Sequence, residues 1–285
     1  MITTARERFC GPRRKLVLAF GVGITHSRIS YCILDPGVVP EIRGVTRFPA
    51  HQNIPGAAKI TTIIYYDRDG KVKAVGAEAM REGVYEQVED EEWVKAEWFI
   101  LHLQSKIVPA AGNQVINDIP RLPPGKTVVD VFADFLAYLY KCTATYIKDT
   151  HANGTALWDS VEGQIDFVLS HSNRWEGTQQ NEILKAAVQA GLVLDTATGH
   201  ARLSFVTEGE ASLHYAVQNG LPGAATKAYA GEGAIEISSY KSVYTDTFEK
   251  ISVPQCYFNG STFVNIHAQD FLSNFLEGSR YLDDP

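Results

Sequence analysis

Leu16-Val17-Leu18-Ala19-Phe20-Gly21-Val22-Gly23-Ile24-Thr25-His26-Ser27 opens an apolar run into a Gly-x-Gly turn, and Ile29-Ser30-Tyr31-Cys32-Ile33-Leu34 continues it as an alternating, β-branched run. This order predicts a tight turn between two strands, so Leu16 to Leu34 reads as a hairpin and not as the opening of a helix. Ala230-Gly231-Glu232-Gly233-Ala234, leading into Ile235-Glu236-Ile237-Ser238-Ser239-Tyr240, repeats the design near the other end of the chain. A Gly-x-Gly turn lets the backbone approach a phosphate closely and aim N–H groups at its oxygens. The pair suggests a nucleotide held between two related lobes, although either turn alone is equally the tip of an ordinary hairpin. A dinucleotide fingerprint needs a third glycine and a following helix, and here the third position is His26 and a strand follows.

Further along, Ile60 to Tyr66 and Lys71 to Val75 form a second expected hairpin around Asp67-Arg68-Asp69-Gly70. Gly76 to Val84 can open a helix, and the acidic run Glu86 to Glu97 reads as a solvated helix face with Trp93 and Trp98 turned inward. Val108 to Lys126, rich in Pro, Gly and Asn, reads as a connection. Thr127 to Tyr146 has the helical spacing of a wide buried face: Val128, Val129, Val131, Phe132, Phe135, Leu136, Leu139 and Tyr140. Ile165 to Leu169 is a short strand ending at Ser170-His171-Ser172-Asn173, a polar loop of the kind that carries function. A helix from about Trp175 to Gly191 follows, then a strand at Leu203 to Val206. Glu208-Gly209-Glu210 stands at its end, before a helix beginning at Ala211. Glu208 is the candidate catalytic residue, because a carboxylate there can orient a water molecule or hold a hydrated cation. It is also what the macrodipole favours at any helix N-terminus.

With 285 residues, 45% of them hydrophobic and 21% charged, the chain has the composition of an ordinary globular protein of one or two domains. Its net charge of −7 argues against broad nucleic-acid binding. The four cysteines, Cys10, Cys32, Cys142 and Cys256, show no C-x-x-C spacing and read as free, mostly buried thiols. The apolar run after the basic residues at the N-terminus is short and broken by Gly21 and Gly23, which predicts neither a signal peptide nor a membrane span. The sequons at Asn153 and Asn259 are then idle, and the cytosol is the expected compartment. The dispersed histidines give no H-x-x-x-H spacing, and no metal-ligand set is expected from them.

These segments together resemble the actin-like ATPase superfamily, and within it the nucleotide-binding domain of heat shock protein 70 (DnaK-type) chaperones, in particular a divergent fungal branch. The likeness rests on Phe20 to Ser27, Lys59 to Asp67, Ala74 to Ala79, Phe167 to Asn173, Ala186 to Leu192, Phe205 to Leu213 and Gly231 to Tyr240, which follow in the family's order. It implies an α/β fold of ribonuclease H-like type, with a flexible leader at 1–15, a complete first lobe at 16–215 and the beginning of a second at 216–285. The family binds Mg-ATP or Mg-ADP between its two phosphate hairpins. The resemblance makes Gly21, Gly23, Thr25, Ser27, Gly231 and Gly233 the candidate nucleotide-binding residues and associates Glu208 with the metal's waters and the attacking water.

Departures from the family pattern bear on activity. Asp-x-Gly-Thr-Thr becomes Gly21-Val22-Gly23-Ile24-Thr25, and Asp-x-Gly-Gly-Gly-Thr becomes Tyr229-Ala230-Gly231-Glu232-Gly233-Ala234, so two metal-facing carboxylates and two hydroxyls are missing. Glu232 brings a negative charge near a phosphate, at a cost on the order of a few kcal/mol. The first-lobe lysine has no counterpart, Met80 being the nearest position. The segment before the second hairpin, Ala224 to Ala230, lacks the apolar run of a buried parallel strand, and Ser261 to Asn265 reads as strand-like. Phosphoryl transfer depends on positioning and charge neutralisation, so the expectation is a degenerate domain with weak or no hydrolysis that acts through nucleotide or protein binding. The alternatives are a working ATPase organised around Glu208, Glu236 and water, and a self-associating interaction scaffold that binds no nucleotide.

Overall fold

The computed structural model describes residues 6–50, 58–103, 119–173, 175, 177–219, 224–230, 235–244, 247–253, 255–257, 260–277 and 279. Strand β1 (Lys15–Val22) pairs antiparallel with β2 (His26–Leu34), Val22 lying opposite Ser27, so the expected hairpin is present with Gly23, Ile24 and Thr25 at its tip. Alternation along β1 sends Leu16, Leu18, Phe20 and Val22 into the core. Two short strands, β3 (Ile42–Gly44) and β4 (Ile60–Thr61), pair antiparallel with β2. The described part of the leader runs beside the Asp35–Val38 turn. Phe9 N–H donates to Val38 O at 2.9 Å, Gly37 N–H donates to Phe9 O at 2.8 Å, and Arg14 pairs with Asp35.

A second hairpin of β5 (Ile63–Tyr66) and β6 (Val72–Val75) is joined by β7 (Val94–Glu97) on the other side of β5. Between them lie a 3₁₀ turn at Gly76–Met80 and helix α1 (Val84–Asp90). The acidic run is therefore not one helix face. Glu92 takes φ of 50° and Trp93 N–H returns to Val88 O at 2.9 Å, which ends the helix and starts the strand. Trp93 does turn inward, its ring 6.3 Å from that of Tyr65.

Helix α2 (Val128–Thr150) opens on a capping box between Thr127 and Asp130 and buries Val131, Phe132, Phe135, Leu136 and Leu139. Helix α3 (Gly154–Val161) follows, then β8 (Ile165–His171), α4 (Gly177–Gln189), the short α5 (Ala197–His200), β9 (Leu203–Thr207) and α6 (Glu208–Gln218). Strand β8 runs parallel to β1, and β9 parallel to β8, giving the order β3-β2-β1-β8-β9. Tyr140 of α2 lies 6.1 Å from Phe167 of β8, which places the helix against the sheet's buried face. The main core is continuous across these elements.

β6-β5-β7 is a sheet of its own, and past α6 a further sheet forms from β10 (Ala224–Ala230), β11 (Ile235–Tyr244), β12 (Thr247–Lys250) and β13 (Gln255–Tyr257), with β10 antiparallel to β11. Ala224 to Ala230 is thus a strand despite its weak apolar content, because it is an edge strand pairing with β11 alone among the described residues and not a buried parallel one. Ser261 to Asn265 is not a strand but the start of helix α7 (Ser261–Phe275). The architecture is mixed α/β, and no described helix is long and apolar enough to cross a membrane. Cys10, Cys32 and Cys142 are free thiols, and burial pushes Cys142 up to about 12.

Candidate functional site

The register of the parallel strands sets Gly21, Ser170 and Val206 in one row, so the carboxyl ends of β1, β8 and β9 open on the same edge. Loops at the carboxyl ends of parallel strands are where ligands of open α/β sheets bind. Gly21 and Gly23 both matter sterically. A Cβ at Gly23 would lie 2.5 Å from the carbonyl oxygen of His26, and one at Gly21 would lie 3.3 Å from Ser170 Oγ. Thr25 is half-buried, its Oγ1 3.1 Å from His26 Nδ1 and its carbonyl accepting from Thr62 N–H at 2.8 Å. Ser27 is fully buried, its hydroxyl 2.7 Å from that of Thr62. Ser27, opposite Val22 in the last pair of the ladder, therefore fixes the hairpin just below its Gly23–Thr25 tip, while Gly21 lies within β1 opposite Arg28. Gly231 and Gly233, with Glu232, lie outside the described residues; Ala230 and Ile235 on either side of them are paired across β10 and β11.

Glu208 is the first residue of α6, directly after the N-cap Thr207, whose hydroxyl accepts from Glu210 N–H at 3.2 Å. The helix thus starts at Glu208, three residues earlier than Ala211, because Thr207 supplies the cap. Burial, and after it the negative charge of Glu236, push the Glu208 carboxyl up to about 7, and the Arg28 guanidinium works against them. Glu236 comes from β11 and is 2% exposed. One of its oxygens, Oε1, accepts from Ser172 Oγ at 2.6 Å and from Asn173 N–H at 3.1 Å. The other, Oε2, is buried with no partner.

Asn173 ties these elements together. Its Nδ2 donates to Ser238 Oγ at 2.9 Å, and its Oδ1 accepts from Gly209 N–H at 3.3 Å. Gly209 has to be small: a Cβ there would stand 2.7 Å from Ser238 Oγ and 2.8 Å from Asn173 Nδ2. The end of β8, the start of α6 and the buried face of β11 therefore meet in one hydrogen-bonded knot that holds two carboxylates side by side. His171 supports the loop from beneath. Its Nδ1–H donates to Ser172 O at 2.8 Å, Gln180 Nε2 lies 3.1 Å from its Nε2, and its ring stacks on Trp175.

The structure brings Gly21 and Glu208 to the same edge as the Ser170–Asn173 loop. Ser238 and Arg28 were not visible as site residues. The available signal for Ser238 was its spacing on β11, where Glu236, Ser238 and Tyr240 alternate onto the buried face. Among the described residues no group of three or more His, Cys, Asp or Glu side chains could hold a metal ion unaided. The scan of family models returned no match to this chain, and no curated protein matches it.

Proposed function

We propose that the chain is a degenerate actin-like ATPase domain of the heat shock protein 70 type, which holds Mg-ATP or Mg-ADP weakly, hydrolyses ATP poorly or not at all and acts through nucleotide or protein contacts. The observation that carries this reading is the single edge on which the end of β1 with its Gly23–Thr25 tip, the Ser170–Asn173 loop and Glu208 gather at the ends of β1, β8 and β9. The strand order β3-β2-β1-β8-β9, two antiparallel neighbours followed by two parallel ones, agrees with the resemblance.

The residues present fit a hydrated divalent cation in one respect. Glu236 has a buried, unpaired Oε2 beside the charge-coupled Glu208, and magnesium is commonly held by one or two carboxylates with waters completing its shell. Glu208 and Glu236 would hold that shell, and the ion, when bound, supplies charge neutralisation to the phosphates. The rest of the set is thin. Gly21 offers no carboxylate, Ile24 offers no hydroxyl, and the lysine that the resemblance implies has no counterpart, the nearest position in the sequence being Met80. Charge neutralisation is the main source of phosphoryl-transfer catalysis, so binding without useful turnover is the outcome these residues favour.

Thermal unfolding with and without millimolar Mg-ATP and Mg-ADP tests the reading, since ligand at a hundred times its dissociation constant adds about 2.7 kcal/mol. A small, saturable rise in melting temperature with phosphate release at the level of buffer is expected. Hydrolysis by the purified chain that disappears in Glu208→Gln would sink the degenerate reading in favour of a working ATPase, the alternative that the Glu208–Glu236 pair favours. A melting temperature indifferent to nucleotide would leave the interaction scaffold, which the exposed Val253, Phe271 and Phe275 favour.

A further inference from the structure

Helix α7 runs for 15 residues, yet among its described side chains only Phe263 is buried, at 4% exposure, with Ile266 half-covered beside it. Val264, Phe271, Leu272 and Phe275 are all exposed. Phe263 does not join the main core. It forms a separate cluster with Leu101, against which Trp98, Ile119, Ile266 and Ile24 pack, and its ring lies 6.4 Å from that of Trp98. Trp98 holds a φ of 52°, a left-handed conformation that a bulky side chain adopts only when its surroundings enforce it. Ile24 is the middle residue of the β1–β2 hairpin tip, so the half-buried turn with the phosphate-type glycines packs through Ile24 against an apolar cluster that includes Phe263 of α7.

We infer that α7 is an internal cap on the hairpin tip: Phe263 anchors the helix over the Ile24 cluster, and an anionic phosphate ligand and α7 exclude one another there. A phosphate bound at the tip must come within hydrogen-bond distance of the backbone on either side of Ile24. An apolar cover over that turn removes the water and the polar partners that a phosphate's remaining oxygens need. The cap is easily released, because a helix with one buried anchor, set apart from the main core, opens locally without unfolding the sheet behind it. Exposed apolar residues elsewhere on α7 leave it little to lose on withdrawal. The inference rests on the proposed nucleotide function for the identity of the ligand; the apolar cluster that Ile24 and Phe263 share stands without it.

Amide hydrogen exchange on the whole chain decides whether the cap exists. In Phe263→Ala the amides of Gly23, Ile24 and Thr25 are expected to exchange at least tenfold faster than in the wild type, Phe263→Leu restoring most of the protection, with β1 and β8 unchanged. Tip protection that stays the same in Phe263→Ala overturns the cap. Should that variant fail to fold, Ile24→Ala provides the reciprocal reading, since coupling acts both ways: faster exchange around Phe263 upholds the contact, and unaltered exchange refutes it. Mutual exclusion is read from the rise in melting temperature with Mg-ADP. A larger rise in Phe263→Ala than in the wild type supports it, and equal rises overturn it. No rise in either protein removes the nucleotide function, while the exchange data still decide whether α7 covers the tip.

Discussion

Glu208 carries a pH signature that follows from its neighbours. Its value in the folded chain, about 7, is above its ordinary 4.5, so the folded state binds this proton more tightly than the unfolded state does. The stability contributed by Glu208 is fully present below about pH 4.5 and is lost as pH rises through about 7, where a carboxylate held beside Glu236 opposes folding. In Glu208→Gln, with no ligand present, a gain of about 1–3 kcal/mol is expected at pH 8 and almost none at pH 4, given about 1.4 kcal/mol per pKa unit and partial exposure of the side chain. Urea titrations at the two pH values check this, and an equal change at both would show that neither burial nor Glu236 raises the Glu208 carboxyl in the folded chain. Asn173→Ala leaves Ser238 Oγ and Gly209 N–H without their bridge and is expected to cost about 1–3 kcal/mol. A double-mutant cycle with Ser238→Ala is expected to show coupling above about 0.5 kcal/mol. Glu208 was legible because the strand before it and the helix after it are both marked in the sequence. The knot was not, because Asn173 meets Glu236 and Ser238 across more than sixty residues, and no local pattern encodes that pairing.

Helix α2 is the element on which the main core depends, and its two kinds of stabilisation separate cleanly. Thr127→Ala removes the capping box and is expected to lower stability by about 1 kcal/mol. Phe135 is fully buried, with its ring 5.7 Å from Phe99, so Phe135→Ala is expected to lower it by about 3–5 kcal/mol. Urea midpoints for the two variants check both numbers, and a Phe135→Ala loss no larger than that of Thr127→Ala would place α2 at the margin of the core. This helix could be read from the sequence because its apolar period is sustained over five turns. Where the signal was shorter, the reading failed. Ser261-Thr262-Phe263-Val264-Asn265 has strand-like residue types over five positions, but the segment continues to Phe275 without Gly or Pro, and the helical length prevails. Within Glu86 to Glu97 acidic residues occur on both sides of the boundary and do not mark it, so the change from helix to strand at Glu92 is carried by a backbone angle that composition does not encode.

On the scale of the whole molecule, two of the three sheets, the first built on β1 and β8 and the second on β11, differ in what they bury. The main core draws only on residues from Leu16 to Phe205, whereas the described apolar cluster of the second sheet is Leu213 and Tyr240 with Val217 and Phe248 beside them. Three of the side chains that join the second sheet to the first are polar: Glu236, Ser238 and Asn173. Hydrophobic burial is the dominant favourable contribution to folding, and a unit with little of it opens at a lower free energy than its neighbour. Native-state hydrogen exchange at low urea is therefore expected to release the amides of β10 and β11 together, through an opening that leaves β1 and β8 protected. Protection in β1 and β8 is expected to be lost only with global unfolding. Because the joint includes the Glu208–Glu236 pair, β11 protection should also rise in Glu208→Gln at pH 8 and change little at pH 4. A single opening free energy shared by β1, β8 and β11 would mean that the polar knot couples the sheets as strongly as a continuous core does, and the division into a stable first sheet and a dependent second one would fall.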